Sequence, residues 1–143
     1  MPFTGPIEDR ILIRELIETY ADAVTRRDEQ LWADCWAEDA TWLLSTLAGF
    51  DAYAGKEAIL AERRLMMESS HGTKGSDVRL FVAYPGAINV AGAFASGHAY
   101  TSELLSQDSG GYHWLHGRYD DEYVKRTGRW LFLRRKFQKI ALV

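Results

Sequence analysis

The residues of this 143-residue chain best suited to moving protons are its four histidines, His71, His98, His113 and His116. An imidazole changes charge near neutrality, so it can take a proton from a substrate and return it. His71 stands in Ser69-Ser70-His71-Gly72-Thr73, just before a strand-like run. His98 belongs to a run in which Phe94, Ser96, His98 and Tyr100 fall on one face by strict alternation. In the next run Trp114, His116, Arg118 and Asp120 share one face, and His113, Gly117, Tyr119 and Asp121 the other. If Arg118 is buried it needs a counter-charge, and Asp120, two residues along the same face, can supply it. The same guanidinium can equally hold a developing oxyanion. Asp22 reads as a surface or capping carboxylate. Tyr20 either fills the core or points its hydroxyl into a pocket.

Metal chemistry finds little support in these residues. His113-x-x-His116 places its two rings on opposite strand faces, and a pairing of His98 with His116 lacks an identifiable third ligand. No metal and no cofactor are expected. The chain has no glycine-rich phosphate loop, Walker motif or nucleophile elbow.

The elements that must position these side chains fall into two halves. Gly5-Pro6 followed by Glu8 and Asp9 marks a helix start, since proline suits the first turn and carboxylates favour the positive dipole end. Ile13, Ile17, Tyr20 and Val24 then repeat at helical spacing. Asp28 can cap a second helix carrying Leu31, Trp32, Cys35 and Trp36 inward. Asp39-Ala40 closes it, and 41–44 reads as a short strand. Residues 49–55 read as loop or edge strand, and 56–67 as a third helix. Strands are expected over 76–84, 87–106, 112–125 and 129–140, with turns at Pro85-Gly86, 107–111 and 126–128. Helices first and a strand meander afterwards indicate an α+β fold, in one domain spanning 1–143. A meander with one face covered by helices forms a cone whose mouth can admit a ligand.

Composition bounds the partners. Apolar residues make up 47% and aromatic residues 13% of the chain, enough for a core and an aromatic-lined pocket. A net charge of −3 argues against a nucleic-acid partner. In the basic run near the C-terminus, alternation splits Arg134 and Lys136 from Arg135 and Lys139, which reads as solvated or paired charges. Cys35 is the only cysteine, so it forms no internal disulfide and reads as a buried structural thiol. The N-terminus lacks the basic and apolar regions of a signal peptide, and no apolar stretch is long enough to span a membrane. A cytoplasmic location and no membrane partner are expected.

The chain resembles the SnoaL-like, nuclear-transport-factor-2-like families, which include scytalone dehydratase, hexachlorocyclohexane dehydrochlorinase, ketosteroid-isomerase and polyketide-cyclase relatives. The residues that carry the resemblance are Tyr20-Ala21-Asp22-Ala23, Asp28 and Trp36-Ala37-Glu38-Asp39-Ala40-Thr41-Trp42, then Gly55-Lys56-Glu57-Ala58-Ile59 and His71. Gly117-Arg118-Tyr119-Asp120-Asp121-Glu122-Tyr123-Val124 with Gly128-Arg129-Trp130 completes the pattern. The resemblance implies a curved, mixed or antiparallel sheet wrapped as a cone around the N-terminal helices. It also implies that His71 meets the ligand, that Ser96, His98 and Tyr100 face the pocket, and that Trp114, His116, Arg118 and Asp120 do so from the next strand. The opposite placement of His98, in an oligomer contact, remains open. Dehydratase-like members pair the histidine with an aspartate late in the first helix. Here that position is Thr25, which cannot stabilise an imidazolium as a carboxylate does.

The function these residues imply is cofactor-independent acid–base catalysis, of dehydratase, isomerase or lyase type, on a small, apolar, oxygenated cyclic or aromatic compound. His71 or His98 is the expected base, with Tyr20, Tyr100 and Arg118 as donors or binders. Thr25, Ser96, Trp114, His116 and Asp120 complete the expected site. The alternative is a non-catalytic binding, accessory or oligomerisation module of the same fold. Relatives pack sheets together, so a homo-dimer or homo-trimer is expected.

Overall fold

The computed structural model describes residues 2–72 and 77–143, without the side chains of residues 69–72. A two-residue strand, β1 (Phe3–Thr4), precedes helix α1 (Ile7–Arg26). Pro6 occupies the N-cap, and Glu8 and Asp9 fill the first turn, as the sequence indicates. The apolar stripe of α1 buries Ile13, Leu16, Ile17, Tyr20, Ala23 and Val24. The helix ends at Arg27, whose left-handed backbone (φ 59°) turns the chain. Asp28 caps α2 (Glu29–Asp34) by accepting the Leu31 N–H at 3.0 Å.

Helix α2 is shorter than its apolar spacing suggests. Cys35 closes it, and Trp36 already belongs to strand β2 (Trp36–Thr46), where it pairs with Phe132. The spacing of Leu31, Trp32, Cys35 and Trp36 fits a helix, but Trp36 buries its indole equally well from a strand, and the ladder decides. Strand β3 (Gly49–Ala54) is an edge strand paired with β2. Helix α3 (Lys56–Gly72) follows.

The second half is four long strands, β4 (Asp77–Ala91), β5 (Phe94–Ser106), β6 (Tyr112–Arg126) and β7 (Arg129–Leu142). The expected turn at Pro85-Gly86 is instead a break in register inside β4, between Pro85 and Ile88. Proline has no N–H to donate to a ladder and fits such an irregularity. The chain reverses at Gly92, where φ is 65°. The seven strands form one curved, unclosed sheet in the order β1-β4-β5-β6-β7-β2-β3. Helix α1 packs mainly on β4, and α3 on β2 and β3, so the helices cover the concave face. Asp9 ties the start of α1 to the last hairpin, accepting the Trp130 indole N–H at 2.9 Å and a Lys125 ammonium hydrogen at 3.1 Å. The core joins aromatic residues of helix and sheet, with the rings of Tyr20, Trp32, Trp36 and Trp42 in successive contact.

Candidate functional site on the concave face

The alternation along β5 decides which side chains meet the interior. Ala95, Gly97, Ala99 and Thr101 are buried, while Phe94, Ser96, His98 and Tyr100 are exposed. On β6, Gly117, Tyr119, Asp121 and Tyr123 are buried, and Trp114, His116, Arg118 and Asp120 lie on the other side. The expected inner faces of both strands are therefore corrected: each set placed toward the pocket lies on the convex surface. On β5 curvature is the physical reason, since side chains on the concave side of a bent sheet converge and small residues fit there. On β6 the inner set is the one whose Tyr119 and Tyr123 rings join the aromatic core. A Cβ on Gly97 would stand 2.3 Å from the Ala87 carbonyl oxygen, and one on Gly117 would stand 2.1 Å from the Phe137 ring.

The convex residues form their own polar clusters. His98 Nδ1 lies 2.7 Å from Asp120 Oδ1, and the Arg118 Nη2 hydrogens reach Asp120 Oδ2 and Gln138 Oε1, both at 3.2 Å. The pairing of Arg118 with Asp120 is thus present, at the surface. Burial opposes ionisation of Asp120, but hydrogen bonds from His98 and Arg118 outweigh it and hold the carboxyl below its usual range. Ser102 Oγ lies 2.8 Å from His116 Nδ1, and the His116 ring stacks on Trp114.

The interior holds charges of its own. An irregularity in β7 shifts the ladder from Tyr123 opposite Phe132 to Glu122 opposite Arg134, so that Arg135 points inward beside Phe132. Arg135 is 1% exposed. Its Nε donates to Asp121 Oδ1 at 2.8 Å and its Nη2 to Oδ2 at 3.1 Å, and the Tyr123 hydroxyl donates to Oδ2 at 2.9 Å. The guanidinium carbon sits 3.7 Å from the centre of the Tyr119 ring, 4.1 Å from Phe132 and 4.5 Å from Tyr20. Out of water, such cation–π contacts are worth roughly 2 kcal/mol or more. Burial pushes the Asp121 carboxyl up, with Arg135 pulling against it. Burial likewise raises the hydroxyls of Tyr20 and Tyr119, so both remain protonated donors.

This face also carries unused hydrogen-bonding capacity. Among the described residues, Trp36 Nε1, Trp42 Nε1, Thr101 Oγ1 and Arg135 Nη1 are buried without a hydrogen-bond partner. Each such group costs about 1–3 kcal/mol unless something polar meets it. Glu103, Leu105, Leu44, Tyr53, Leu60 and Phe137 are only half-buried. Glu103 continues the inner face of β5, opposite Phe81 and Leu115, and burial pushes its carboxyl up to about 7, with Arg63 pulling it down.

Other expected residues are placed as follows. Tyr20 is a core tyrosine on the inner face, 2% exposed. Thr25 donates to the Phe81 carbonyl at 3.1 Å and accepts the Phe81 N–H at 2.9 Å, so its hydroxyl binds the edge of β4. The His71 backbone lies in the last turn of α3, and its side chain lies outside the described residues. Asp22 is exposed and paired with Arg26 at 3.2 Å. Cys35 is buried, its thiol 3.4 Å from the Leu31 carbonyl and pushed by burial up to about 12. The sequence reading missed Arg135, Asp121 and Glu103. Counting outward from the Arg126-Thr127-Gly128 turn brings Asp121 and Arg135 nearly opposite, a signal available in the letters. For Glu103 the signal is its place in phase with Ala95, Gly97, Ala99 and Thr101.

A curved sheet wrapped over N-terminal helices, with an interior lined by aromatic rings and buried polar groups, defines the nuclear-transport-factor-2-like class of α+β fold. Residues 6–136 match the SnoaL-like domain, and the chain belongs to that family. No curated protein matches it. Among solved structures it is similar to a candidate aromatic ring hydroxylase from Novosphingobium aromaticivorans. The identity is 25% and the TM-score 0.76, over 98% of this chain and 95% of that one. A hexachlorocyclohexane dehydrochlorinase from Novosphingobium barchaimii shares 20% identity at a TM-score of 0.74, covering 96% and 90%. A candidate scytalone dehydratase from Novosphingobium aromaticivorans shares 17% at a TM-score of 0.75, covering 96% and 87%. The latter two likenesses are of fold. No helix among the described residues is long and apolar enough to cross a membrane.

Proposed function

We propose that the protein is a cofactor-independent acid–base enzyme that eliminates water from, or isomerises, a small apolar cyclic compound bearing oxygen. The observation that carries this reading is the set of unpartnered buried donors, Trp36, Trp42, Thr101 and Arg135, on a concave face otherwise lined by aromatic rings. Aromatic walls favour an apolar ring, and the unsatisfied donors favour a substrate with acceptor oxygens. A carbonyl oxygen that gains charge as a neighbouring C–H proton leaves is stabilised by such preorganised donors. His71, assigned through its place in the family pattern, is the proposed base. Similarity in fold to a dehydrochlorinase and a candidate dehydratase accords with elimination chemistry.

The test is incubation of the purified protein, without added cofactor, with β-hydroxy ketones such as 3-hydroxycyclohexanone and its benzo-fused analogue. Enone formation is followed by ultraviolet absorbance, and exchange of the α-hydrogen for deuterium by NMR in heavy water. Turnover that is lost in His71→Ala supports the reading. Absence of both conversion and exchange, with the same compounds binding, replaces it with a binding module.

We also propose that the chain is a homo-oligomer joined through the convex sheet face, in the dimer or trimer range. The exposed aromatic side chains of Tyr84, Tyr100 and Trp114 on this side support it. A light-scattering mass equal to one chain removes this proposal.

A further inference from the structure

Glu103 is the one carboxylate that β5 carries on its concave face. In phase with it stand Ala95, Gly97, Ala99 and Thr101, all buried, the last with an unpartnered hydroxyl. Its cross-strand neighbours are Phe81 on β4 and Leu115 on β6, neither able to neutralise a charge. The described residues include no hydrogen-bond donor or ion-pair partner to Glu103 within bonding distance, although it is half-buried. The charged or titratable groups that act on it are few. Arg63 of α3, whose guanidinium lies over the Trp32 ring at 5.2 Å, favours its ionised form, and the Tyr119 hydroxyl of β6 lies within electrostatic reach. A structural carboxylate at such a position is normally tied into a pair, as Asp121 is with Arg135. Glu103 instead stands half-buried with no such partner among the described residues.

We infer that Glu103 is the general acid of this site, giving its carboxyl proton to the oxygen that leaves the substrate. The inference rests on the acid–base reading above. As the base removes the proton adjacent to the carbonyl, its electron pair forms the new carbon–carbon double bond. The carbon–oxygen bond breaks with its pair staying on oxygen, and that oxygen takes the Glu103 proton and departs as water. Glu103 is left as carboxylate and the base protonated, and solvent restores both. A carboxyl lifted toward neutrality by burial is suited to donating at the pH where a histidine base is still unprotonated.

The experiment compares wild type, Glu103→Gln, Glu103→Asp and Arg63→Gln on two substrates, 3-hydroxycyclohexanone and 3-acetoxycyclohexanone. Acetate leaves without being protonated, whereas hydroxide does not. On the hydroxy ketone, Glu103→Gln is expected to lower kcat by about 10²–10⁴-fold with little change in KM. It should also remove an alkaline limb near pH 7 in the wild-type profile. On the acetate the same variant is expected to match wild type, and Glu103→Asp to recover part of the lost rate on the hydroxy ketone. Arg63→Gln, by removing a cation that favours the carboxylate, should move the limb to higher pH. Equal losses by Glu103→Gln on both substrates, or no loss on either, overturn the assignment while leaving the enzyme reading intact. A wild-type protein that turns over neither these two compounds nor the benzo-fused hydroxy ketone removes the enzyme reading and this inference with it.

A readout independent of turnover uses carboxyl-labelled glutamate. The resonance absent from Glu103→Gln should titrate near pH 7 and shift when 4-nitrophenol is added. Titration in the ordinary carboxylate range, or indifference to the phenol, also overturns the assignment.

Discussion

Arg135 and Asp121 face each other across the β6–β7 ladder and form a two-point ion pair, at 2.8 and 3.1 Å, in the interior of the protein. Both are almost wholly removed from solvent, and the guanidinium is enclosed by Tyr20, Tyr119 and Phe132. Charge buried this deeply is stable only as a pair, so each residue fixes the other. Among the described residues the pair leaves one guanidinium nitrogen, Nη1, without a hydrogen-bond partner on the concave face.

Breaking this pair one residue at a time should be severe. Asp121→Asn or Arg135→Met is expected to lower stability by about 3–5 kcal/mol, because each strands a buried polar partner. The double variant Asp121→Leu/Arg135→Met should lose less than the sum of the two. Urea unfolding of the three proteins measures the coupling.

Thr25 makes a different prediction. Its hydroxyl satisfies both backbone groups of Phe81 on the edge of β4, away from the Ile88 and Asn89 positions that β1 pairs. Thr25→Val should cost about 1–3 kcal/mol and expose the Phe81 amide to hydrogen exchange, whereas Thr25→Ser should retain most of the protection. Wild-type behaviour in Thr25→Val would remove this structural role.

Asp9 gives a pH dependence with a defined sign. Hydrogen bonds from Trp130 and Lys125 hold its carboxyl below the usual aspartate range in the folded state. The stabilisation is therefore complete above the unfolded-state value and is lost as pH falls through the lower folded one. Wild type should be more stable than Asp9→Asn at pH 6, and the gap should close on acidification toward pH 2. Unfolding curves across that range test it, and a gap independent of pH would count against the charge-assisted bonds.

Cys35, with its thiol pushed up to about 12 and buried between α2 and the sheet, should resist alkylation by iodoacetamide at pH 8 while the protein is folded. In denaturant it should react at the rate of a free thiol. Mass spectrometry of the two reactions distinguishes a structural thiol from an accessible nucleophile.

Gly97 tests the crowding of the concave face. Gly97→Ala places a methyl 2.3 Å from a backbone oxygen that cannot rotate away, whereas Gly117→Ala meets the edge of the Phe137 ring. Both should destabilise, by about 1–3 kcal/mol, and Gly97→Ala the more of the two. Thermal unfolding gives the order.

The sequence by itself determined the order of elements, the stripe that α1 buries, the Asp28 cap and the α+β architecture. These depend on local periodicity and on residues acting within a few positions of themselves, so they are written in the letters. It also determined that Arg134 and Arg135 must part to opposite faces. Tertiary structure alone decided which face of β5 and β6 turns inward, because alternation gives two equivalent sets and names neither as the interior. His98, Arg118 and Asp120 made the more chemically suggestive set, yet curvature favours the side with Ala95, Gly97 and Ala99. The same closure brings Arg135 to Asp121 and leaves Glu103 without a partner among the described residues. Those relations join residues fourteen or more positions apart or different elements altogether, and they exist only once the sheet has bent over its helices.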